Sequence, residues 1–436
     1  MAQLIYDKTG RLLFTKEMKQ TYTVLIPQML PVHFGMLCKC MELDGLNIQM
    51  LNTEHRAIVD TGLKYVHNDT CYPALLVIGQ MIDAVQSGGY DPHKVALMIT
   101  QTGGGCRASN YIHLLRKALK KAGLDYIPVI SLNMSGLEKN PGFSLNVKLI
   151  MRMARAMFYG DILCWLANQV RPYEVDPGSA DRLIAAWENR LLDAFQTRGG
   201  LSRKTFRRTL REIASDFAEI ETAGEQKPLV GVVGEIYVKF SSLGNNNLEK
   251  FLLQEGAEPV VPGLADFIIF KANNRIVDVD LYGGKWIKKF AVGILQRYLE
   301  GLQADLIEAI QTQPKFRAPE PFSVIQKRVE GYLSYGNKMG EGWLLTAEML
   351  DLIHSGVNNI VCAQPFGCLP NHVAGKGMIR RLKDDFPNSN IVAVDYDPSA
   401  TKINQENRIK LMLANAARMQ RAAREAAEEV SASAAV

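Results

Sequence analysis

A series of short apolar runs, each closed by glycine or proline and followed by a helical stretch, constrains the fold most. KVALMIT (94–100) is nearly all apolar over strand length, which suits a strand covered on both faces in a parallel sheet. It stops at QTGGG (101–105). SNYIHLLRKALKKAG (109–123) then has amphipathic helical spacing, with Gly123 as its stop. TVLIP (23–27), LNIQML (46–51) and YIPVISL (126–132) read as companion strands. Helices are expected around His33–Leu43 and over 73–86, where Pro73 suits a first helical turn. The first 20 residues read as a polar arm. Strands alternating with helices at this spacing imply βαβ units and a doubly wound sheet.

From about Phe143 to Ala223 the strand signal vanishes, and the pattern is helical and charged around an interruption at 171–180. The α/β grammar returns after GEQKP (224–228). Strands are expected at LVGVVGEIYV (229–238), AEPVVP (257–262), VNNIVCA (357–363) and SNIVAVDYD (389–397). Helices are expected at 245–256, 285–313, 340–356 and 376–386, with a helical tail from Ser399. The expected fold is therefore α/β, with two Rossmann-like domains of doubly wound parallel sheet. The first spans 1–145, a helical insert spans 146–226, and the second spans 227–436 with a C-terminal helix. At 436 residues the chain has room for two to three domains.

Fifty basic against 45 acidic residues leave a net charge of +5, a weak excess without a basic, aromatic-laced stripe. Nucleic acid is not an expected partner. No basic n-region with an apolar run opens the chain, and no stretch approaches 18 uninterrupted apolar residues. A cytoplasmic protein without a membrane partner is expected. Seven cysteines without a secretory signal argue against a disulfide framework. In a reducing compartment they are core fillers, metal ligands or nucleophiles.

Three loops carry the candidates. In NDTCYP (68–73), Cys71 precedes the helix opened by Pro73. A helix N-terminus favours the thiolate; a buried small side chain is the equal alternative. TQTGGGCRASN (100–110) lies between an apolar strand and a helix, where open α/β sheets bind ligands. Gly103, Gly104 and Gly105 supply neither a phosphate loop nor a dinucleotide fingerprint. Their N–H groups can form an anion nest, followed by Cys106 and Arg107. A glycine nest beside a thiolate fits an iron–sulfur cluster; a tight turn with a passive cysteine is the alternative. In CAQPFGCLPNH (362–372), Cys362 closes a strand and Cys368 lies in the loop before a helix. Their spacing is not that of a zinc knuckle. His372 is a candidate ligand or acid, although a lone histidine is more often structural.

The other candidates read as structural. Cys38 and Cys40, two apart on a helix, point to different faces. Cys164 falls in an apolar helical run and reads as core. Asp395 and Asp397 read as a cap or surface loop, and SRKTFRRTLR (202–211) as a solvated helical face.

NDTCYPALLVIGQ, TQTGGGCRASNYIHLLRKALKKAG, PVISLN with NPGF, GEIYVKF with NNNLEKFLLQEGAE, GEGWLLTAEM, and QPFGCLPNHVAGKGMIRRLK with AVDYDPSA together resemble one family. It is the 2-hydroxyacyl-CoA dehydratase superfamily, in the branch of the double-cubane cluster proteins and the dehydratase-like half of activator-fused proteins. The resemblance runs from about Thr23 to Leu413. It implies an iron–sulfur cluster in a cleft between the two Rossmann-like domains. It also implies a separate activator ATPase with its own 4Fe–4S cluster, which delivers low-potential electrons for reduction or reductive dehydration of a small substrate, such as a 2-hydroxyacyl-CoA. Cys71, Cys106 and Cys368 fall in the family's cysteine motifs as ligands, and Cys362 is the first candidate for an extra one. Glu341 and His372 are the candidate catalytic groups. A double-cubane 8Fe–9S cluster needs about six thiolates, nearly every cysteine here, so a single 4Fe–4S cluster is favoured. The activator is expected on a separate polypeptide. Superfamily members pair with a homologous subunit, so a homo- or hetero-dimer is expected. The rival readings are a non-catalytic cluster-bearing or scaffold subunit, and a cysteine-nucleophile transferase using Cys106.

Overall fold

The computed structural model describes residues 2–67, 69–101, 104–133, 138–197 and 202–434, with side chains as far as Met419 and at Arg421. The chain is α/β and carries two four-stranded sheets. The first holds β1 (Thr23–Pro27), β2 (Asn47–Leu51), β3 (Val95–Thr100) and β4 (Val129–Leu132) in the order β2-β1-β3-β4. The second holds β5 (Leu229–Gly234), β6 (Glu258–Val260), β7 (Asn359–Pro365) and β8 (Asn390–Tyr396) in the order β6-β5-β7-β8. Every pairing is parallel. One topology is thus used twice. In each sheet the order reverses between the first and third strands. Ligands of open parallel sheets bind at the carboxyl ends beside such a reversal.

Strand alternation divides the apolar residues among three cores. Val24, Ile26, Ala96, Met98 and Ile130 face one way, into a core shared with the helices Pro31–Glu42, Val147–Val170, Ser179–Gln196 and Arg203–Ala218. The helices after β4 join that core through the helix Pro31–Glu42, and Val147–Val170 also packs against β6 of the second sheet. Leu25, Leu97, Ile99 and Val129 face the other way, onto the helices Tyr72–Gln86 and Tyr111–Lys121. That core continues into the second sheet through Val230, Val232, Val361 and Val394. Val233, Ile360 and Ile391 pack on the helix Trp343–His354 in a third core. Among the described residues no helix is long and apolar enough to cross a membrane.

Three segments differ from the sequence reading. The first 20 residues are not a polar arm: Tyr6 bridges to Leu12, Thr15 caps a helix at Lys16–Thr21, and Phe14 and Met18 are fully buried. Ala2 and Leu12 are buried with them, so apolar side chains spread along the segment anchor it. The strand expected through 238 ends at Gly234, whose φ is +146°. Glu235 then caps a short helix, Ile236–Phe240, by accepting the Val238 N–H at 3.0 Å. The helix Leu264–Tyr282 was not anticipated. Its Ile, Val and Asn content lowers its intrinsic propensity, and its N-terminus is fixed by a carboxylate remote in sequence.

That carboxylate is Asp161. It accepts the N–H groups of Leu264 at 2.8 Å and Ala265 at 2.9 Å, and its Oδ1 lies 2.8 Å from His33 Nε2. Three helices are tied at one buried point. Burial alone would lower the His33 pKa, but its hydrogen bond to Asp161, with Cys164 nearby, raises it to about 10. A histidine pKa raised on folding from 6.5 contributes stability in full below pH 6.5, and that contribution disappears as pH rises through about 10. Asp161→Asn is expected to cost about 3 kcal/mol at pH 6, as loss of one partner of a buried pair does. The gap between wild-type and variant urea midpoints should narrow steadily toward pH 10; a gap independent of pH contradicts the ion pair.

Candidate metal centre

Three cysteines occupy the same local position on three separate helical starts. Cys71 is the N-cap of Tyr72–Gln86, with φ −61° and ψ 145°. Cys106 is the N-cap of the 3-10 turn Arg107–Asn110, with φ −73° and ψ 147°. Cys368 directly precedes the helical run that begins at Leu369. Helix starts leave backbone N–H groups unpaired. No regular capping hydrogen bond closes at Cys71 or Cys106. The N–H groups of Ala74, Ala108 and Asn371 nonetheless act on the sulfurs of Cys71, Cys106 and Cys368 and favour the thiolate.

Both sheets deliver these cysteines to one place. The Cys106 loop follows β3 and the Cys368 loop follows β7, the third strand of each half. The N–H of Tyr72 donates to the carbonyl of Phe366 at 3.0 Å, joining the Cys71 and Cys368 loops. Gly367, at φ +73°, lies so close that an added Cβ would stand 3.1 Å from Cys71 Cα. The loop before the helix Trp343–His354 closes the third side. A Cβ on Gly340 would stand 3.1 Å from Pro370 and 3.6 Å from Cys106 Sγ.

Burial dominates the electrostatics. It raises the thiol pKa values of Cys71, Cys106 and Cys368, that of Cys106 to about 11. Cys106 and Cys368 both feel the charges of Glu341 and Glu235, and Cys106 that of Cys71. The two carboxyls are themselves pushed up, first by burial, with Glu341 adding to Glu235. Glu341 Oε1 accepts the Ile236 N–H at 3.1 Å. Burial lowers the Lys271 ammonium, while Glu341 and Cys106 favour its charge. Lys271 Nζ also donates to the Gly340 carbonyl. The Tyr111 hydroxyl shares a 2.9 Å hydrogen bond with Cys71 Sγ, and burial keeps it protonated. It can therefore donate to a thiolate.

Among the described residues, no three His, Cys, Asp or Glu side chains could hold a single metal ion. Cluster thiolates bind separate irons and stand farther apart, so this spacing bears on mononuclear sites alone.

The other sequence candidates lie elsewhere or act differently. Cys362 is fully buried in the third core, with Asn371 Oδ1 3.6 Å from its sulfur. Burial and then Asp395 and Glu348 raise its thiol to about 12. Cys38 and Cys40 are both buried in the first core, each raised to about 12. The exposed His372 pairs with Gln364, whose Nε2 is 2.7 Å from His372 Nδ1. Gly103 lies outside the described residues. Gly104 N–H donates to Ser109 Oγ at 2.7 Å, so that amide is committed within the loop. Gly105 serves close packing: a Cβ there would stand 2.6 Å from Met339 Sδ. Exposed Arg107 reaches the Asp69 carbonyl. Asp397 caps the N–H groups of Ser399 and Ala400 at 2.7 and 2.9 Å. The 202–211 run is not simply solvated. Arg203 pairs with Asp305 at 2.7 Å, and Arg207 and Arg211 with Glu308 at 2.6 and 2.5 Å.

Glu235, Tyr111 and Lys271 escaped the sequence reading. Glu235 had a usable signal: it directly follows the first strand of the second half, beside the order reversal. Lys271 had none, because its helix was not foreseen. The duplicated topology exposes a further correspondence. Cys106 and Cys368 are equivalent, each following the third strand of its half. The helix before each third strand starts at Cys71 in one half and at Glu341–Gly342 in the other. The chain matches no protein-family model and no curated protein.

Gly367→Ala places a side chain in the left-handed region, at a cost of about 1–2 kcal/mol, against Cys71. Local opening there should speed maleimide labelling of Cys71 about tenfold, read by peptide mass spectrometry, with Cys38 unchanged as the internal control. Equal labelling rates in variant and wild type would show that the two loops do not hold each other.

Proposed function

We propose that this protein is a cluster-bearing component of the 2-hydroxyacyl-CoA dehydratase type, two Rossmann-like halves flanking a cleft, with the helices of 147–218 as an insert. It receives low-potential electrons from a separate ATP-dependent activator carrying its own 4Fe–4S cluster. It reduces, or reductively dehydrates, a small substrate of the 2-hydroxyacyl-CoA class. The observation that carries this reading is the convergence of Cys71, Cys106 and Cys368, each on a helical start and drawn from both halves, around buried Glu235 and Glu341.

The donor set fits a single 4Fe–4S cluster held by these three thiolates. Cys38, Cys40 and Cys362 sit within apolar cores, so the six thiolates of a double cubane are not assembled at this place. When bound, the cluster supplies a low-potential electron and an iron position open to a substrate oxygen. The chain's own residues do the rest. The N–H groups of Ala74, Ala108 and Asn371 and the Tyr111 hydroxyl stabilise negative charge on the sulfurs. Glu341, buried between the Cys106 and Cys368 loops, is placed to hold a proton near the cleft. Lys271 anchors the Gly340 carbonyl and with it that loop. His372 is solvent-exposed beside Gln364, and its backbone N–H donates to the Cys368 carbonyl at 3.1 Å.

Anaerobically purified protein should contain about four irons and about four acid-labile sulfides per chain. Alanine at Cys71, Cys106 or Cys368 should abolish the charge-transfer absorption, and alanine at Cys362 should leave it. No iron under rigorously anaerobic conditions rules the proposal out, and about eight irons would replace it with the double cubane.

A further inference from the structure

Cys164 reads from the sequence as core, yet the structure leaves it partly exposed. Five of the seven cysteines are buried, whereas Cys106 and Cys164 are half-buried. Cys164 adjoins the knot of His33 and Asp161. A Cβ on Gly160 would stand 2.4 Å from the His33 ring, so that ring rests directly on the helix Val147–Val170. Asp161 meets the ring at Nε2, 2.8 Å away. Cys164 follows Gly160 by four residues and Asp161 by three. It therefore lies on the same helical face, one turn on.

The ring has one nitrogen to spare. An imidazolium donates from both nitrogens. Asp161 takes Nε2, while Nδ1 is buried and closes no regular hydrogen bond. His33 is 1% exposed, and a buried donor without an acceptor is costly. The Cys164 sulfur can supply one. Burial opposes charge on the ring, and hydrogen bonding to Asp161 and then to Cys164 restores it. A second cation belongs to the same face. Arg171 follows Cys164 by seven residues. Burial opposes its charge, Asp181 restores it, and Cys164 adds to Asp181. The acids around this pair are engaged elsewhere. Asp161 accepts the Leu264 and Ala265 N–H groups, Asp181 pairs with Arg171, and Glu249 accepts from Asn168 Nδ2 at 2.9 Å. Glu188 also faces His33, and burial raises its pKa. A thiolate at Cys164 would thus face two cations, the partly exposed electropositive setting of a reactive cysteine.

We propose that Cys164 is a modification site for small hydroperoxides, with His33 as the group that serves the departing oxygen. A half-buried sulfur admits a small neutral oxidant more readily than a bulky one. The Cys164 thiolate attacks one oxygen of hydrogen peroxide, and the S–O bond forms as the O–O bond breaks. Hydroxide leaves and takes the Nδ1 proton of His33, giving water. The sulfur is oxidised by two electrons and the peroxide is reduced by two. The product is Cys164 sulfenic acid beside a neutral imidazole that still donates from Nε2 to Asp161. An external thiol or dimedone then captures the sulfenic acid. The proposal does not rest on the iron–sulfur reading, in which Cys164 is no ligand.

The test gives the anaerobically purified full chain a short pulse of dilute hydrogen peroxide with dimedone at neutral pH. Peptide mass spectrometry reads the adduct at each cysteine. Cys164 should be labelled ahead of Cys38 and Cys40, which are buried in the first core. His33→Asn should slow labelling of Cys164 about tenfold, as loss of a hydrogen bond to a charged group does. The sign separates this role from a structural one. If His33 merely ties helices together, its loss opens the site and labelling speeds up. Arg171→Gln should slow labelling about threefold, the scale of a partly exposed charge pair. Arg171 lies at the helix end and is partly exposed, so this variant keeps the test decisive if circular dichroism shows His33→Asn to be unfolded. Labelling of Cys164 no faster than that of Cys38 overturns the proposal. Labelling that no folded variant slows overturns it as well.

Discussion

One backbone hydrogen bond sets the geometry on which the cysteine site depends. The Tyr72 N–H belongs to the first half and the Phe366 carbonyl to the second, and they meet at 3.0 Å. A main-chain bond has no rotamers, so it fixes the separation of the neighbouring Cys71 and Cys368 more firmly than a side-chain pair could. The close approach also explains glycine at 367: the chain turns at positive φ with Cys71 Cα packed where a Cβ would go. Parallel sheets put their loops at the carboxyl edges. Two such edges facing one another across this bond bring residues more than 260 positions apart in sequence into one buried space.

That space is costly to charge. Three thiols and two carboxyls share it, and burial raises the pKa of each. Burial favours the protonated form of every one of them. A bound cation or cluster would displace those protons, and binding would then be linked to pH. The compensation built into the fold is mostly dipolar: three helical starts and the Tyr111 hydroxyl point donors at sulfur. Such donors stabilise added negative charge without fixing a full positive charge that would bind any passing anion. Lys271 is a cation beside this arrangement, and burial keeps even its charge in check.

The sequence revealed more of the sheets than of what joins them. Apolar runs such as KVALMIT identify a buried parallel strand because strand length, flanking glycines and β-branched content all agree. The ends were less legible. Gly234 looked like a residue inside a strand, and only its φ of +146° shows it to be the terminus. The helix Leu264–Tyr282 was invisible because its start is stabilised by Asp161, about a hundred residues earlier, and no local pattern records such a partner. Cys71, Cys106 and Cys368 were legible as loop cysteines at helix starts. Cys362, expected to close its strand, lies instead in the middle of β7, which continues to Pro365, and faces the third core; the strand's end and register, which decide that, are not set by sequence alone.

The duplicated topology also clarifies why the site is asymmetric. A strict repeat would place a cysteine at the start of both helices that precede the third strands, four thiols in all. The second half carries Glu341 and Gly342 there instead. Gly342 adopts φ +48°, and a side chain at this position would overlap the Asn337 carbonyl. The backbone therefore excludes a cysteine from the exact counterpart of Cys71. The adjacent Glu341 reaches back to the Ile236 N–H, the first residue of the short helix after β5. On the proposed reading Cys71, Cys106 and Cys368 would hold the cluster, and Glu341 would keep a proton beside them where a strict repeat would put a fourth thiol. The departure from symmetry thus gives the site a proton carrier in place of a fourth sulfur.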